Sequence, residues 1–276
     1  MYQITLFIKL NKYEECLQFI LKHLDDFLDK LKIYEKIAFL ALRTGKNDLV
    51  TEYMLKAIER NAENVTYYLY YFQANGISES LTNFNDLVTV SDKGLAIKLV
   101  NNLRDKKIKS KILERIELVL SSGNLFKQKI SSYICHNVKQ NIPSILNAIK
   151  SIYDLQKDKI EVISEIIIAH LKSIEENKCL HVEYTNNEKL DLLTQICWVY
   201  FFGALHFDYL RDLERALVLI NKAIDSTPSV NEFYTLKSKI FKHAYMLKES
   251  SEAYEKVLLL CEYILRQQNW IVEIGI

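Results

Sequence analysis

The chain has 276 residues, a formal net charge of +1 at pH 7 with histidine neutral, and only six glycines and two prolines. This length is sufficient for a large buried core or for a run of stacked repeats. The near-neutral charge does not indicate nucleic acid or an acidic surface as a partner of the whole chain. Because glycine and proline are so scarce, helices joined by short loops are the expected architecture.

The N-terminal part of the chain predicts helices joined by tight turns. Residues Tyr2–Leu10 are expected to be helical, and Asn11 is expected to be the N-cap of the next helix. A helix pair is then predicted over Tyr34–Ala57, because small and large residues recur there with helical spacing. Gly45 falls at the turn of this pair, where glycine adopts a left-handed backbone at the lowest cost.

The next part of the chain is aromatic and then irregular. The run Tyr67–Phe72 indicates burial between neighbouring repeats, the alternative being an aromatic binding surface. Residues 76–112 are less regular and predict short helices in a degenerate repeat. Within them, the basic run Asp105–Lys111 indicates a solvated surface, the alternative being contact with a nucleic acid or a phosphate.

The C-terminal half contains the clearest repeats, at residues 197–257, after a long loop predicted near residues 176–188. Six residues recur 34 positions later with a shared order of aromatic, small and apolar side chains: Tyr200, Ala204, Phe207, Ala216, Ile220 and Ala223 match Tyr234, Ser238, Phe241, Ser250, Tyr254 and Val257. A period near 34 is typical of tetratricopeptide helix pairs. We therefore predict an all-α, tetratricopeptide-like solenoid that forms a single array over residues 1–276, the alternative being an unrelated helical bundle.

The sequence contains no pattern typical of an active site or a metal site. There is no glycine-rich loop that could hold a nucleotide or coenzyme. His206 and Asp208 are two positions apart, which places them on different faces of a helix. We expect no catalytic residue, no metal ion and no cofactor belonging to this chain.

The five cysteines are scattered without a CxxC pair, which fits free thiols in a reducing compartment. No apolar run reaches the roughly 18–20 residues that a membrane span needs. The N-terminus shows no signal-peptide pattern. We expect a cytoplasmic protein that does not contact a membrane.

Basic residues cluster on a predicted helix near residue 240. Lys239, Lys242 and His243 follow i, i+3, i+4 spacing and share one face. Lys237 falls on the apolar side of the same helix, where it must extend to solvent, pair with a carboxylate or meet an anion. This cluster is either a solvated basic face or a site for an anionic ligand or an acidic partner segment.

Three segments resemble, in order and spacing, the middle of the auxiliary subunit of the NatA N-terminal acetyltransferase complex: Glu114–Ile134, Ile142–Ile174 and Tyr200–Val257. The most specific pieces are SILNAIKSIYDLQKDK, residues 144–159, and AIDSTPSVNEFYTLKSKIFKHA, residues 223–244. The resemblance covers Tyr34–Val257. Members of this family are several times longer than the chain.

The resemblance implies a non-catalytic helical scaffold that wraps a separate catalytic acetyltransferase subunit and holds it at the ribosome for cotranslational acetylation. It also implies an inositol polyphosphate between the two subunits, bound by basic residues of this helical region. The matching candidates in this sequence are Lys237, Lys239, Lys242, His243 and Lys248.

Three other classes of protein are less favoured. A peptide-binding repeat module, such as a chaperone or assembly adaptor, grips a carboxylate with Lys and Asn of adjacent first helices. The repeat that begins near Cys197 has no such residue before Asn221 and Lys222, in its second helix. An RNA-processing repeat protein would carry a basic stripe, which the near-neutral charge disfavours, so no direct nucleic-acid specificity is expected. An independent enzyme is the least favoured class.

Overall fold

The structure is a computed structural model that describes residues 2–78, 81–142, 149–177, 180 and 192–274. The chain divides into two compact units, Met1–Ser122 and Gly123–Ile276. All regular elements of the described ranges are helices, which confirms the all-α prediction. The prediction that residues 1–276 form one continuous array stays a prediction.

The first unit contains seven α-helices and two short 3-10 helices among its described residues. The α-helices are α1 (Tyr2–Lys9), α2 (Tyr13–Lys22), α3 (Lys30–Arg43), α4 (Asn47–Arg60), α5 (Val65–Ala74), α6 (Lys93–Asp105) and α7 (Lys111–Leu120). The 3-10 helices are Leu24–Asp26 and Phe84–Val88. Consecutive helices pack on each other, as α3 does on α4 and α4 on α5.

The second unit contains seven further α-helices among its described residues. They are α8 (Gly123–Lys139), α9 (Lys150–Leu155), α10 (Lys157–Asn177), α11 (Leu192–Tyr209), α12 (Leu213–Ser226), α13 (Asn231–His243) and α14 (Leu247–Ile274). The strongest packing joins α11 to α12 and α13 to α14, which are the two predicted pairs of residues 197–257. None of the described helices is long and apolar enough to cross a membrane.

The residues of the repeat pattern form the helix-pair core. Tyr200, Ala204, Phe207, Ala216, Ile220 and Ala223 are all buried, and so are their counterparts Tyr34, Ala38, Ala41, Met54 and Ala57. Gly203 also lies at the contact of α11 with α12, because a Cβ there would be 2.9 Å from Cδ1 of Leu219. Small residues at the repeating positions therefore let the paired helices approach closely.

Four turns between paired helices share one backbone geometry. Asn11, Gly45, Arg211 and Tyr245 all have positive φ, at 57°, 71°, 65° and 61°. The next residue in each case donates its N–H to the carbonyl five positions earlier, at 2.8–3.0 Å, which is the Schellman arrangement. The prediction that Asn11 is an N-cap is therefore wrong: Lys12 occupies that position, and Asn11 forms the left-handed turn that Gly45 forms one repeat later.

The last described helix pair uses hydroxyl groups where the preceding pair uses alanines. Ser238 and Ser250 replace Ala204 and Ala216 at the 34-residue offset. Each serine hydroxyl donates to the backbone carbonyl of the other residue at 2.9 Å, and the two hydroxyl oxygens are 3.0 Å apart. These bonds join α13 to α14, while Tyr254, a predicted apolar position of the pattern, is 52% exposed.

The structure also describes the aromatic run, most of the irregular region and a small part of the predicted long loop. In α5, Tyr67, Tyr68, Tyr71 and Phe72 are buried, which confirms burial rather than an aromatic surface. The less regular region 76–112 contains Phe84–Val88 and α6. In the predicted loop 176–188, residues 176–177 belong to α10, and the rest lies outside the described residues except Leu180, which is buried.

Overpacking at the contact of α11 and α12 is expected to destabilise the second unit. Ala216 is fully buried, so Ala216→Leu should lower the free energy of unfolding by about 1–3 kcal/mol. The matched control is Val218→Leu on the same helix, because Val218 is half exposed and can accept the extra volume. An unchanged melting temperature for Ala216→Leu would show that the repeat register assigned to α12 is incorrect.

Candidate partner-binding surface

The basic residues of α13 do not all converge on one point. Lys239, Lys242 and His243 share one side of the helix and are exposed, as the spacing predicted. Lys237 is half buried on a different side, and its Nζ lies 5.8 Å from the centroid of the Phe241 ring. That Lys237 extends to solvent, pairs with a carboxylate or meets an anion stays a prediction.

His243 is already paired with an acidic residue of another helix. Its Nδ1 donates to Oδ1 of Asp208 in α11, at 2.6 Å, and the Asp208 side chain is largely buried. The pair links the end of α11 to the end of α13. Since a carboxylate occupies the partner position of His243, the exposed cations that remain on this side of α13 are Lys239 and Lys242. Lys248 is exposed in the first turn of α14.

A cleft lies between α11 and α13, which are the first helices of two successive pairs. It has a volume of about 230 Å³ and is lined by Phe201, Leu205, Asn231, Glu232, Thr235, Leu236 and Lys239. Phe201 and Leu236 form an apolar floor, since both are buried. Of these residues only Lys239 was a site candidate from the sequence. The 34-residue offset could have indicated the others, because it aligns Phe201 with Thr235 and Leu205 with Lys239.

A buried histidine in α11 contacts the hydroxyl groups of a serine and a tyrosine. Nε2 of His206 is 2.9 Å from the hydroxyl of Ser164, and its Nδ1 is 2.7 Å from the hydroxyl of Tyr153. The Ser164 hydroxyl donates to the carbonyl of Ile160 at 2.9 Å, and in this arrangement it accepts from Nε2–H of His206. His206 is fully buried, and burial lowers its pKa to about 4.

A second buried contact between reactive side chains, in the described part of the chain, joins a thiol to a histidine. Burial raises the pKa of the Cys135 thiol to about 11, although the sulfur lies 3.9 Å from Nε2 of His170. A thiol of this kind is not a reactive nucleophile. Within the described ranges no group of three or more His, Cys, Asp or Glu residues could hold a metal ion.

The fold defines a class, a tetratricopeptide-like helical-repeat protein built from packed helix pairs. Comparison with known proteins makes the assignment specific. The family profile described as N-terminal acetyltransferase A, auxiliary subunit, matches residues 1–262. The chain belongs to this family, which confirms the resemblance seen in the sequence.

Curated relatives support the same assignment. The chain is 28% identical over 253 residues to the human N-alpha-acetyltransferase 16, NatA auxiliary subunit, covering 91% of this chain and 27% of that protein. It is 23% identical over 245 residues to the Arabidopsis thaliana N-terminal acetyltransferase A complex auxiliary subunit NAA15, covering 88% of this chain and 26% of that protein. The chain thus spans about a quarter of these relatives, all named as auxiliary subunits.

A solved structure has the same fold. The structure of Naa15/Naa10 bound to HypK-THB matches with a TM-score of 0.72 at 22% identity, covering 94% of this chain and 35% of the matched chain. At this identity the match supports the fold, and it confirms the predicted helical-repeat architecture.

Proposed function

We propose that the chain is a non-catalytic scaffold that binds and positions the catalytic subunit of a NatA-type N-terminal acetyltransferase in the cytoplasm. The observation that carries the proposal is the family match over residues 1–262 together with the helix-pair fold. Helical repeats present extended surfaces on which a partner can bind over several successive pairs. The proposal includes a role in cotranslational acetylation at the ribosome, as the family resemblance implies.

The solved relative supports a catalytic partner, because that structure contains Naa15 together with Naa10. The described part of this chain contributes packing and surface charge, and its Ser164–His206 contact is buried inside the helix pairs. A scaffold of this kind acts by holding the partner's active site in a productive arrangement. A general peptide-binding module is the weaker alternative, since family membership indicates a dedicated partner.

In this proposal, the exposed lysines of α13, Lys239 and Lys242, bind anionic groups at the interface with the catalytic subunit. An inositol polyphosphate between the subunits is the ligand implied by the family resemblance, and acidic side chains of the partner would use the same chemistry. Charge-assisted hydrogen bonds from lysine to such groups become stronger as the interface excludes water.

Co-expression with the catalytic subunit from the same organism tests the scaffold proposal. The two chains should elute together at a 1:1 ratio in size-exclusion chromatography, and the helical chain alone should not acetylate peptides. Separate elution of two folded proteins at micromolar concentration would contradict the proposal.

Charge reversal on α13 is expected to weaken this complex. Lys239→Glu with Lys242→Glu should raise the dissociation constant by about tenfold or more, because two cations opposite anionic groups become repulsive. The fold should be unaffected, since both side chains are exposed. Lys93→Glu with Lys98→Glu on α6 makes the same change in net charge at exposed positions and serves as the control. Equal affinities for the two double variants would rule out the anionic contact.

A further inference from the structure

The connection between α6 and α7, in the first unit, carries a cluster of lysines. We call residues 106–111 the basic loop. Its four lysines are all exposed, and none of them has an ion-pair partner among the described residues: Lys106, Lys107, Lys109 and Lys111. The neighbouring Arg104, by contrast, pairs with Glu117 at 2.6 Å. The sequence left this run open between a solvated surface and contact with a nucleic acid or a phosphate, and its geometry bears on that choice.

Hydrogen bonds fix the backbone of the basic loop at both ends. At its start, Lys107 has a left-handed φ of 59°, and its N–H donates to the carbonyl of Arg104 at 2.7 Å. At its end, Ser110 is the N-cap of α7, and its hydroxyl donates to the carbonyl of Ala62 at 2.6 Å. The lysines are therefore presented from an ordered stretch of backbone.

Burial alternates along the basic loop. Ile108 and Ser110 are 7% and 5% exposed, whereas the lysines on either side of them are exposed. Ser110 is in an extended conformation, with φ −157° and ψ 138°. Alternate side chains of an extended segment lie on the same side, so Lys109 and Lys111 both point to solvent, with Cα atoms about 6.5 Å apart. The loop thus buries one side and places its cations along the other.

The N-terminus of α7 does not itself offer an anion site. The N–H of Lys111 donates to Oε1 of Glu63 at 2.9 Å, so this carboxylate is bound to the backbone. The N–H groups of Ile112 and Leu113 both donate to the Ser110 hydroxyl. An anion at the loop would therefore meet lysine side chains alone. Separate point charges of this kind suit a polyanion whose charges repeat along a chain better than a single small phosphate.

The surroundings of the basic loop favour RNA over a lipid surface. Helices that lie on membranes bury apolar side chains next to their cations. The apolar residue of the loop, Ile108, is buried, and no large hydrophobic side chain of residues 81–122 is exposed. In the cytoplasm, where the proposed function places the chain, RNA is the abundant polyanion with a charge at every repeat of its chain.

We propose that the basic loop is an RNA-binding surface that contacts the phosphate backbone without reading the base sequence. Its lysines neutralise successive phosphates and release the counterions condensed on them. Such contacts position a nucleic acid but carry no sequence information. A local contact of this kind is compatible with the near-neutral charge of the whole chain. The inference rests on the proposed function for the compartment alone and does not involve the catalytic subunit.

RNA binding by the chain alone tests the inference. Fluorescence anisotropy of a labelled poly(U) oligonucleotide at low salt should give a micromolar dissociation constant, and Lys107→Glu with Lys109→Glu should raise it about tenfold or more. The melting temperature should not change, since both side chains are exposed. The control is Lys9→Glu with Lys22→Glu, at exposed positions of α1 and α2, which makes the same change in net charge and should bind as the unaltered chain does.

Salt dependence and competing ligands supply independent readouts. Loss of two phosphate contacts should make the slope of log K against log salt shallower by about 1.4 for the loop variant. Equal affinities of the two double variants, or no binding of RNA by the unaltered chain, would show that the basic loop is only a solvated surface. Binding to vesicles that contain phosphatidylinositol phosphates but not to RNA, or equal displacement of RNA by polyglutamate, would also overturn the inference. The scaffold proposal is decided separately, by co-elution with the catalytic subunit.

Discussion

Replacing Phe233 by alanine is expected to lower the free energy of unfolding of the second unit by about 3–5 kcal/mol. Phe233 is fully buried, and its ring lies 5.3 Å from the Trp198 ring and 5.4 Å from the Phe201 ring, between centroids. These three rings hold α11 against α13, so the alanine variant loses both apolar burial and aromatic contacts. The cleft between the helices depends on the same contacts.

Chemical denaturation monitored by circular dichroism measures this loss. Tyr245→Ala is the control, since it also removes an aromatic ring but from a side chain that is 91% exposed, and its effect should stay within about 0.5 kcal/mol. Equal midpoints for the two variants would show that the three rings do not hold α11 against α13.

The second large effect is a loss of stability at acidic pH caused by His206. Burial lowers the pKa of His206 from 6.5 to about 4, so the unfolded chain binds a proton in a range where the folded chain does not. The stabilisation is fully present above pH 6.5. It is lost progressively as the pH falls from about 6.5 to about 4, and this loss amounts to roughly 3 kcal/mol.

The geometry explains why the neutral form is preferred. With Ser164 accepting from Nε2–H, the Nδ1 lone pair must accept from the Tyr153 hydroxyl, so both ring nitrogens are bonded in the neutral state. A proton on Nδ1 would oppose the Tyr153 hydroxyl and add a charge to a fully buried site.

His206→Gln removes this titration and should flatten the pH profile of unfolding between pH 6.5 and 4, although the variant is less stable at neutral pH. His136→Gln, at an exposed position, should leave the profile of the unaltered chain. Parallel profiles for His206→Gln and the unaltered chain would show that the histidine titrates normally.

The helix pairs could be predicted from the sequence because their packing rule is local and repeated. Ala204 and Ala216 mark the close approach of two helices, and Gly45 marks the turn. The turn geometry at Asn11 was missed because asparagine suits both an N-cap and a left-handed position. The period would have decided it, since Asn11 and Gly45 are 34 positions apart, as are Arg211 and Tyr245.

The polar contacts could not be predicted from local spacing. His206 meets Tyr153 and Ser164, which are 53 and 42 positions away, so the contact depends on how α9, α10 and α11 pack. Asp208 meets His243 at a separation of 35 positions, close to one repeat. The sequence correctly separated Asp208 from His206, but only the stacking of successive pairs brings it to His243.

The cleft between α11 and α13 could be predicted from the sequence only in part. Periodicity predicts that α11 and α13 are neighbours, whereas the free space between them depends on the sizes of Leu205 and Thr235 and on the tilt of the two helices. Opposite charges at Glu232 and Lys239 are visible in the sequence, but without the cleft they are indistinguishable from an ordinary solvated helix face.

Affinity purification of this chain from its own cells, with mass spectrometry of the proteins that co-purify, tests the central claim most directly. We expect a catalytic N-terminal acetyltransferase subunit to co-purify with the unaltered chain at a near-stoichiometric amount. The double variant Lys239→Glu with Lys242→Glu should recover less of it. Recovery of chaperones or RNA-binding proteins with no acetyltransferase subunit would contradict the scaffold function while leaving the helical-repeat fold intact.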